Sequence, residues 1–149
     1  MNIAIVTGAS SGMGREFVFQ LSRYVKVDEI WAVARREDAL TALQEEMDTP
    51  VRPIVMDLCL EESFARFAQL LQEEQPEVKL LVNAAGFGNF GSFDSISPEE
   101  DCRMVDLNCK ALVAMTRLVL PYMSRGSHIL QVDSLSAFQP VPYITTYAA

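Results

Sequence analysis

The sequence predicts an α/β fold, a doubly wound parallel sheet of about five strands with helices on both faces. Three observations carry that prediction. Short β-branched apolar runs alternate with longer amphipathic stretches, and strand–helix alternation builds βαβ units, hence a parallel sheet. The runs are apolar along their length, as strands covered on both faces are. Half of the 149 residues are apolar and 21% are charged, a globular composition that excludes wholesale disorder and fits one domain over residues 1–149.

Along the chain, Ile3–Val6 reads as a buried strand that stops at Thr7-Gly8. Gly14–Val25 places Phe17, Val18 and Leu21 at helical spacing. Ile30–Ala34 is a second strand, and Glu37–Met47, with Ala39, Leu40, Leu43 and Met47, a second helix. Pro53–Met56 is a third strand, followed by a helix over Glu61–Glu74 that carries Phe64, Phe67, Ala68 and Leu71. Val78–Val82 is the fourth strand. Ser97-Pro98 is an N-cap with proline at the first helical position, and the helix it starts runs, with a break, to Met123. His128–Val132 is the fifth strand, Gln139–Pro142 a loop, and Tyr143–Ala149 the beginning of another helix. Trp31 and His128, in strands, read as packing or edge residues, and Met104, Val105, Leu112 and Met115 as core or a dimer face.

Twenty acidic and twelve basic residues leave a net charge of −8, which disfavours nucleic acid and anionic membranes as partners. No apolar run approaches the ~20 residues of a membrane span, and Met1–Val6 is not a signal peptide. Cys59, Cys102 and Cys109 are an odd set without CxxC spacing, which predicts free thiols in a reducing, cytoplasmic setting and no metal site.

Sites in parallel sheets lie beyond the carboxyl ends of the strands. The first such segment is Thr7-Gly8-Ala9-Ser10-Ser11-Gly12-Met13-Gly14, between a strand and a helix. Glycines allow close backbone approach, and a helix N-terminus offers free N–H groups to a pyrophosphate. These residues resemble the TGxxxGxG turn of the short-chain dehydrogenase/reductase family, with Met13 where most members have isoleucine. The resemblance implies a Rossmann-like fold that holds NAD(H) or NADP(H).

The second strand ends in Ala34-Arg35-Arg36 and offers no carboxylate for ribose hydroxyls. An arginine fork suits a 2′-phosphate. The arrangement resembles NADP-preferring members, with Arg35 as main phosphate contact, Arg36 in support and Ser10 adding a hydroxyl; NAD is the lesser expectation. Ser11 stands where many NADP-dependent relatives carry a basic residue. Asp57, followed by Leu58, resembles the family's adenine-contacting aspartate. Asn83-Ala84-Ala85-Gly86 resembles the NNAG motif, in which Asn83 would brace the sheet centre against Thr7 and Gly86 would let the backbone approach the cofactor.

Carbonyl reduction needs a proton donor at the developing alkoxide, and tyrosine serves once its pKa is lowered. Ser134 and Tyr147 stand thirteen residues apart, the family's serine-to-tyrosine spacing. By resemblance, Ser134 would hydrogen-bond the substrate oxygen, Tyr147 would pass the proton, and Asn108 would distort the long helix and hold a water in the relay. Phe87, Phe90 and Phe93 are either an apolar substrate wall or core.

The lysine of the family's YxxxK motif would fall two positions beyond Ala149. The expectation is a domain truncated at its C-terminus, without the family's sixth and seventh strands, impaired in catalysis alone and a homo-oligomer at full length. The sequence thus predicts an NADP-dependent oxidoreductase acting on a small-molecule carbonyl/alcohol pair. The alternative is a catalytically inactive nucleotide-binding module.

Overall fold

The computed structural model describes residues 1–149. Five strands, β1 (Asn2–Thr7), β2 (Glu29–Ala34), β3 (Val51–Val55), β4 (Glu77–Asn83) and β5 (Met123–Gln131), form one sheet in the order β3-β2-β1-β4-β5. Every neighbouring pair is parallel. The order reverses at β1, which has β2 and then β3 on one side and β4 and then β5 on the other. Such a reversal opens a crevice at the carboxyl ends of the strands.

Side chains alternate along each strand, so β1 feeds two cores. Ala4 and Val6 join Ile30, Ala32 and Val82 under α1 (Gly12–Tyr24) and α2 (Glu37–Glu46), which contribute Val18, Leu21, Leu40 and Leu43. Ile3 and Ile5 join Trp31, Val33 and Leu81 under α3 (Glu61–Glu74), which contributes Phe67 and Leu71. Trp31 is packing, not edge: it is fully buried and meets Phe67 edge to face, with ring centroids 6.2 Å apart. Its indole N–H donates to Glu29 Oε2 at 2.6 Å.

The third strand starts two residues earlier than its apolar pattern predicts and contains Pro53. Only one of its edges is hydrogen-bonded, to β2, so a missing N–H is tolerated there. The predicted break in the long helix is a π turn. Helix α4 (Pro98–Val105) gives way to the turn at Asp106–Lys110 and resumes as α5 (Ala111–Val119), followed by a 3₁₀ turn to Tyr122. The Ala111 N–H reaches Asp106 O, five residues back. Ser97 caps α4, its hydroxyl accepting from Glu100 N at 3.2 Å. Met104, Ala111, Met115 and Val119 form the buried stripe, while Val105 is half-exposed and Leu112 partly buried.

β5 is longer than predicted because Met123 already pairs with Val78. An irregularity then lets Ser124–Ser127 loop out before His128 pairs with Leu80, and Gly126 takes a φ of +91° there. His128 lies exposed on this edge strand. After β5 come a 3₁₀ turn (Leu135–Ala137) and the four-residue α6 (Thr145–Ala148). No helix is long and apolar enough to cross a membrane.

Candidate functional site

A cleft of about 640 Å³ opens at the carboxyl ends of β1, β2, β3 and β4. Its walls are the β1–α1 turn, Ala34–Arg36 after β2, Met56–Cys59 after β3 and Ala84–Phe87 after β4, with Arg103 and Leu107 reaching in from the long helix. Of the residues expected to hold a dinucleotide, Gly8, Ser10, Ser11, Gly12, Met13, Gly14, Arg35, Arg36, Asp57, Leu58, Ala84 and Gly86 all line it.

Each glycine of the turn has a separate reason. Gly8 has a φ of +70°, and a Cβ there would sit 2.8 Å from Ala84 O. A Cβ on Gly14 would fall 2.3 Å from Gly8 O, so only hydrogen lets α1 start this close to the turn. Gly12 has nothing within 4 Å of such a Cβ, which leaves the approach to the helix end clear.

The start of α1 also differs electrostatically from the starts of α2, α3 and α4. α2, α3 and α4 carry acids in their first turns: Glu37 and Asp38, Glu61 and Glu62, and Glu99, Glu100 and Asp101. These oppose the positive end of the helix dipole. α1 has none, and its N-cap Ser11 makes no side-chain cap. Its free amides and partial positive charge remain available to an anion.

Thr7 and Asn83, both buried, do not line the cleft but brace its floor. The brace differs from the expected one. Thr7 Oγ1 accepts from Ala84 N and Ala85 N, both at 3.1 Å. The Asn83 side chain turns the other way, Nδ2 donating to Thr116 Oγ1 at 3.1 Å and Gln131 Oε1 at 2.9 Å. Thr7 and Asn83 are register partners, and the shorter threonine reaches the turn while the longer asparagine spans to α5 and β5.

At the end of β2, Arg36 Nη2 donates to Ser10 O at 3.1 Å and Ser10 Oγ at 3.2 Å. Arg35 makes no side-chain bond, and the ion pairs of the chain use Arg15, Arg52, Lys79 and Lys110 only. Asp57 Oδ1 accepts from Cys59 N at 2.9 Å, ordering the turn after β3. Burial pushes the Cys59 thiol above its ordinary pKa, and nearby Arg103 opposes that shift. Arg103, Cys59 and Leu107 carry no motif that would mark them in the sequence; they join the site because α4 and the π turn pass beside the end of β3.

The residues expected to move protons lie outside the lining of this cleft. Asn108 sits on the π turn and is committed to the loop after β4: Nδ2 donates to Phe87 O at 2.8 Å and Oδ1 accepts from Phe87 N at 3.0 Å. Tyr147 lies against the same loop one residue on, since a Cβ on Gly88 would fall 2.8 Å from its Cδ2. Gly91 N donates to Tyr143 O at 2.9 Å, and the Phe90 and Tyr143 rings are 5.7 Å apart, clasping this loop to the segment before α6. Ser134 caps the 3₁₀ turn after β5, its Oγ accepting from Ser136 N at 3.1 Å. Phe90 and Phe93 are exposed, so they are not core, and Phe87 lines the cleft.

Comparison with known proteins agrees with this architecture. The family model described as short chain dehydrogenase matches residues 2–149. An uncharacterized oxidoreductase of Staphylococcus epidermidis is 27% identical over 149 residues, covering 99% of this chain and 64% of the relative. The very-long-chain 3-oxoacyl-CoA reductase of Emericella nidulans is 34% identical over 158 residues, covering 97% of this chain and 44% of its own. Among solved structures, a metagenomic short-chain oxidoreductase in complex with NADP superposes with a TM-score of 0.89 at 28% identity. That match covers 99% of this chain and 68% of the other. The chain thus spans 44% to 64% of the length of these curated relatives.

Proposed function

The chain belongs to the short-chain dehydrogenase family, and from that premise we propose that it carries the cofactor-binding part of an oxidoreductase that prefers NADP(H) and acts on a carbonyl/alcohol pair. The observation that carries the reading is the cleft itself. An uncapped, acid-free helix start and three arginines outside any ion pair converge there in a chain of net charge −8. Anion binding is what such a concentration of unpaired positive charge serves.

The residues present fit a nicotinamide dinucleotide. Gly12 leaves open space before the α1 amides, which would receive the pyrophosphate. Arg35 would take a 2′-phosphate, with Arg36 held ready by Ser10, and Asp57 would hydrogen-bond the adenine amino group. A dinucleotide held there would supply or accept the hydride. The NADP complex of the metagenomic relative supports a cofactor of this class.

Proton handling falls to Ser134 and Tyr147, with Asn108 in support. Ser134 Oγ accepts one bond, which leaves its own proton free to donate to a substrate oxygen. Tyr147 would pass the proton to the developing alkoxide. Asn108 supports the loop on which Tyr147 rests, and with both ends of its amide bound to Phe87 its part is to hold the two walls together. A second reading, a nucleotide-binding module without turnover, is favoured by the position of Ser134 and Tyr147 outside the cleft lining. Fluorescence titration with NADPH and NADH, beside a turnover assay on the same sample, tests both. Tighter binding of NADPH is expected; a chain that binds neither overturns the reading, and binding without turnover selects the module.

A further inference from the structure

We propose that Arg103 is a ligand for the adenine base of the dinucleotide, its guanidinium laid against the ring from the α4 side; this rests on the reading of the cleft as a dinucleotide site. Arg103 lines the cleft from the long helix, beside Cys59 and the Asp57-Leu58 segment after β3. Cys59 Sγ lies 4.0 Å from Arg103 O, so the two walls meet at this end. Arg35 and Arg36 enter instead from the end of β2, where Arg36 holds Ser10, so the cations divide between two walls.

The surroundings of Arg103 would ordinarily neutralise it. Glu99, Glu100, Asp101 and Asp106 lie within four residues on the same helical stretch. None pairs with it, and Asp106 instead approaches Lys110 at 4.0 Å. An arginine that is free among acids and faces a cleft has its planar group available for a ligand. The neighbouring wall offers Leu58, which is nearly buried and apolar, and Asp57, an acceptor for an amino group. An apolar surface, an edge acceptor and a planar cation are the partners of a purine ring, since guanidinium groups stack on aromatic faces.

The test is a set of titrations of the chain and its Arg103→Ala and Arg103→Lys variants with NADPH, NADH and AMP. AMP carries the base without a 2′-phosphate or a nicotinamide. Arg103→Ala should weaken all three by about tenfold, the loss of one desolvated cation–π contact. Arg103→Lys, which keeps the charge and loses the planar fork, should recover only part of that. AMP should also shield Cys59 from alkylation in the parent chain and do so less in Arg103→Ala, read by peptide mapping. Unchanged affinities, a loss confined to NADPH, or full recovery by lysine overturns this inference alone. A parent chain that binds neither dinucleotide overturns the dinucleotide reading, and this inference with it.

Discussion

Thr7 at the end of β1 and Gln131 at the end of β5 close strands of one sheet, yet the segments beyond them are held in different ways. After Thr7, the turn is wedged between its own backbone and the Ala84-Ala85 amides, in contacts too close for any side chain at Gly8 or Gly14. Five of the six residues of β1 are buried. After Gln131, the chain leaves an edge strand with no buried residue, and Leu135 and Phe138 are 83% and 86% exposed. Ser134 and Tyr147 are placed by short local elements and by one loop packed through Gly88. The difference teaches that the residues proposed for binding and those proposed for proton transfer rest on structurally separate supports. The glycine turn is over-determined by backbone packing, while Ser134 depends on a short turn after β5 and Tyr147 packs on the loop after β4.

The largest effect expected from breaking that contrast is at Gly14. Gly14→Ala forces a methyl onto Gly8 O, so dinucleotide binding should be lost and stability should fall by about 2 kcal/mol, read by titration and by denaturant unfolding. Arg35→Ala comes next. It should weaken NADPH by about ten- to hundredfold, the loss of a charge-assisted phosphate contact, and NADH far less. Equal losses for the two cofactors would refute the arginine-fork argument.

On the other side, Tyr147→Phe keeps the ring that packs on Gly88 and removes only the hydroxyl. Binding of NADPH should stay within about twofold and the melting midpoint should not move, while turnover of the whole protein is abolished. A large drop in affinity would show that the two supports are coupled after all.

The smallest effect concerns the start of β4. Glu77 accepts from Lys79 and from Ser124 Oγ, the latter at 2.7 Å, and these bonds hold its carboxyl below the usual pKa. A depressed carboxylate stabilises above its ordinary pKa, and that contribution disappears as pH falls through the lowered value. Wild type and Glu77→Gln should therefore differ slightly in melting midpoint near neutral pH and converge in acid.

The legibility of the fold in the sequence divides along the same line. Helix α3 lies over Glu61–Glu74 as its periodicity predicts, because Phe64, Phe67 and Leu71 write their own face within single turns. The glycine turn is legible because its conformation depends on residues adjacent in the chain. The start of β3 at Val51 is less so, since a proline in a strand is tolerated only on an edge, and edge position is a property of the sheet. The Asn83 bonds to Thr116 and Gln131 are illegible for the same kind of reason. Which of several partners a side chain reaches is settled by register and length across strands far apart in sequence.

By itself, then, the sequence determined the alternation of strands and helices, the glycine turn after β1 and the paired arginines after β2, all set by patterns local to a few residues. Tertiary structure alone decided that Thr7 braces a loop 77 and 78 residues away, that Arg103 and Cys59 enter the cleft, and that Ser134 and Tyr147 stand outside its lining. Local periodicity carries no record of which distant backbone comes within hydrogen-bond reach; packing two cores on one twisted sheet decides that.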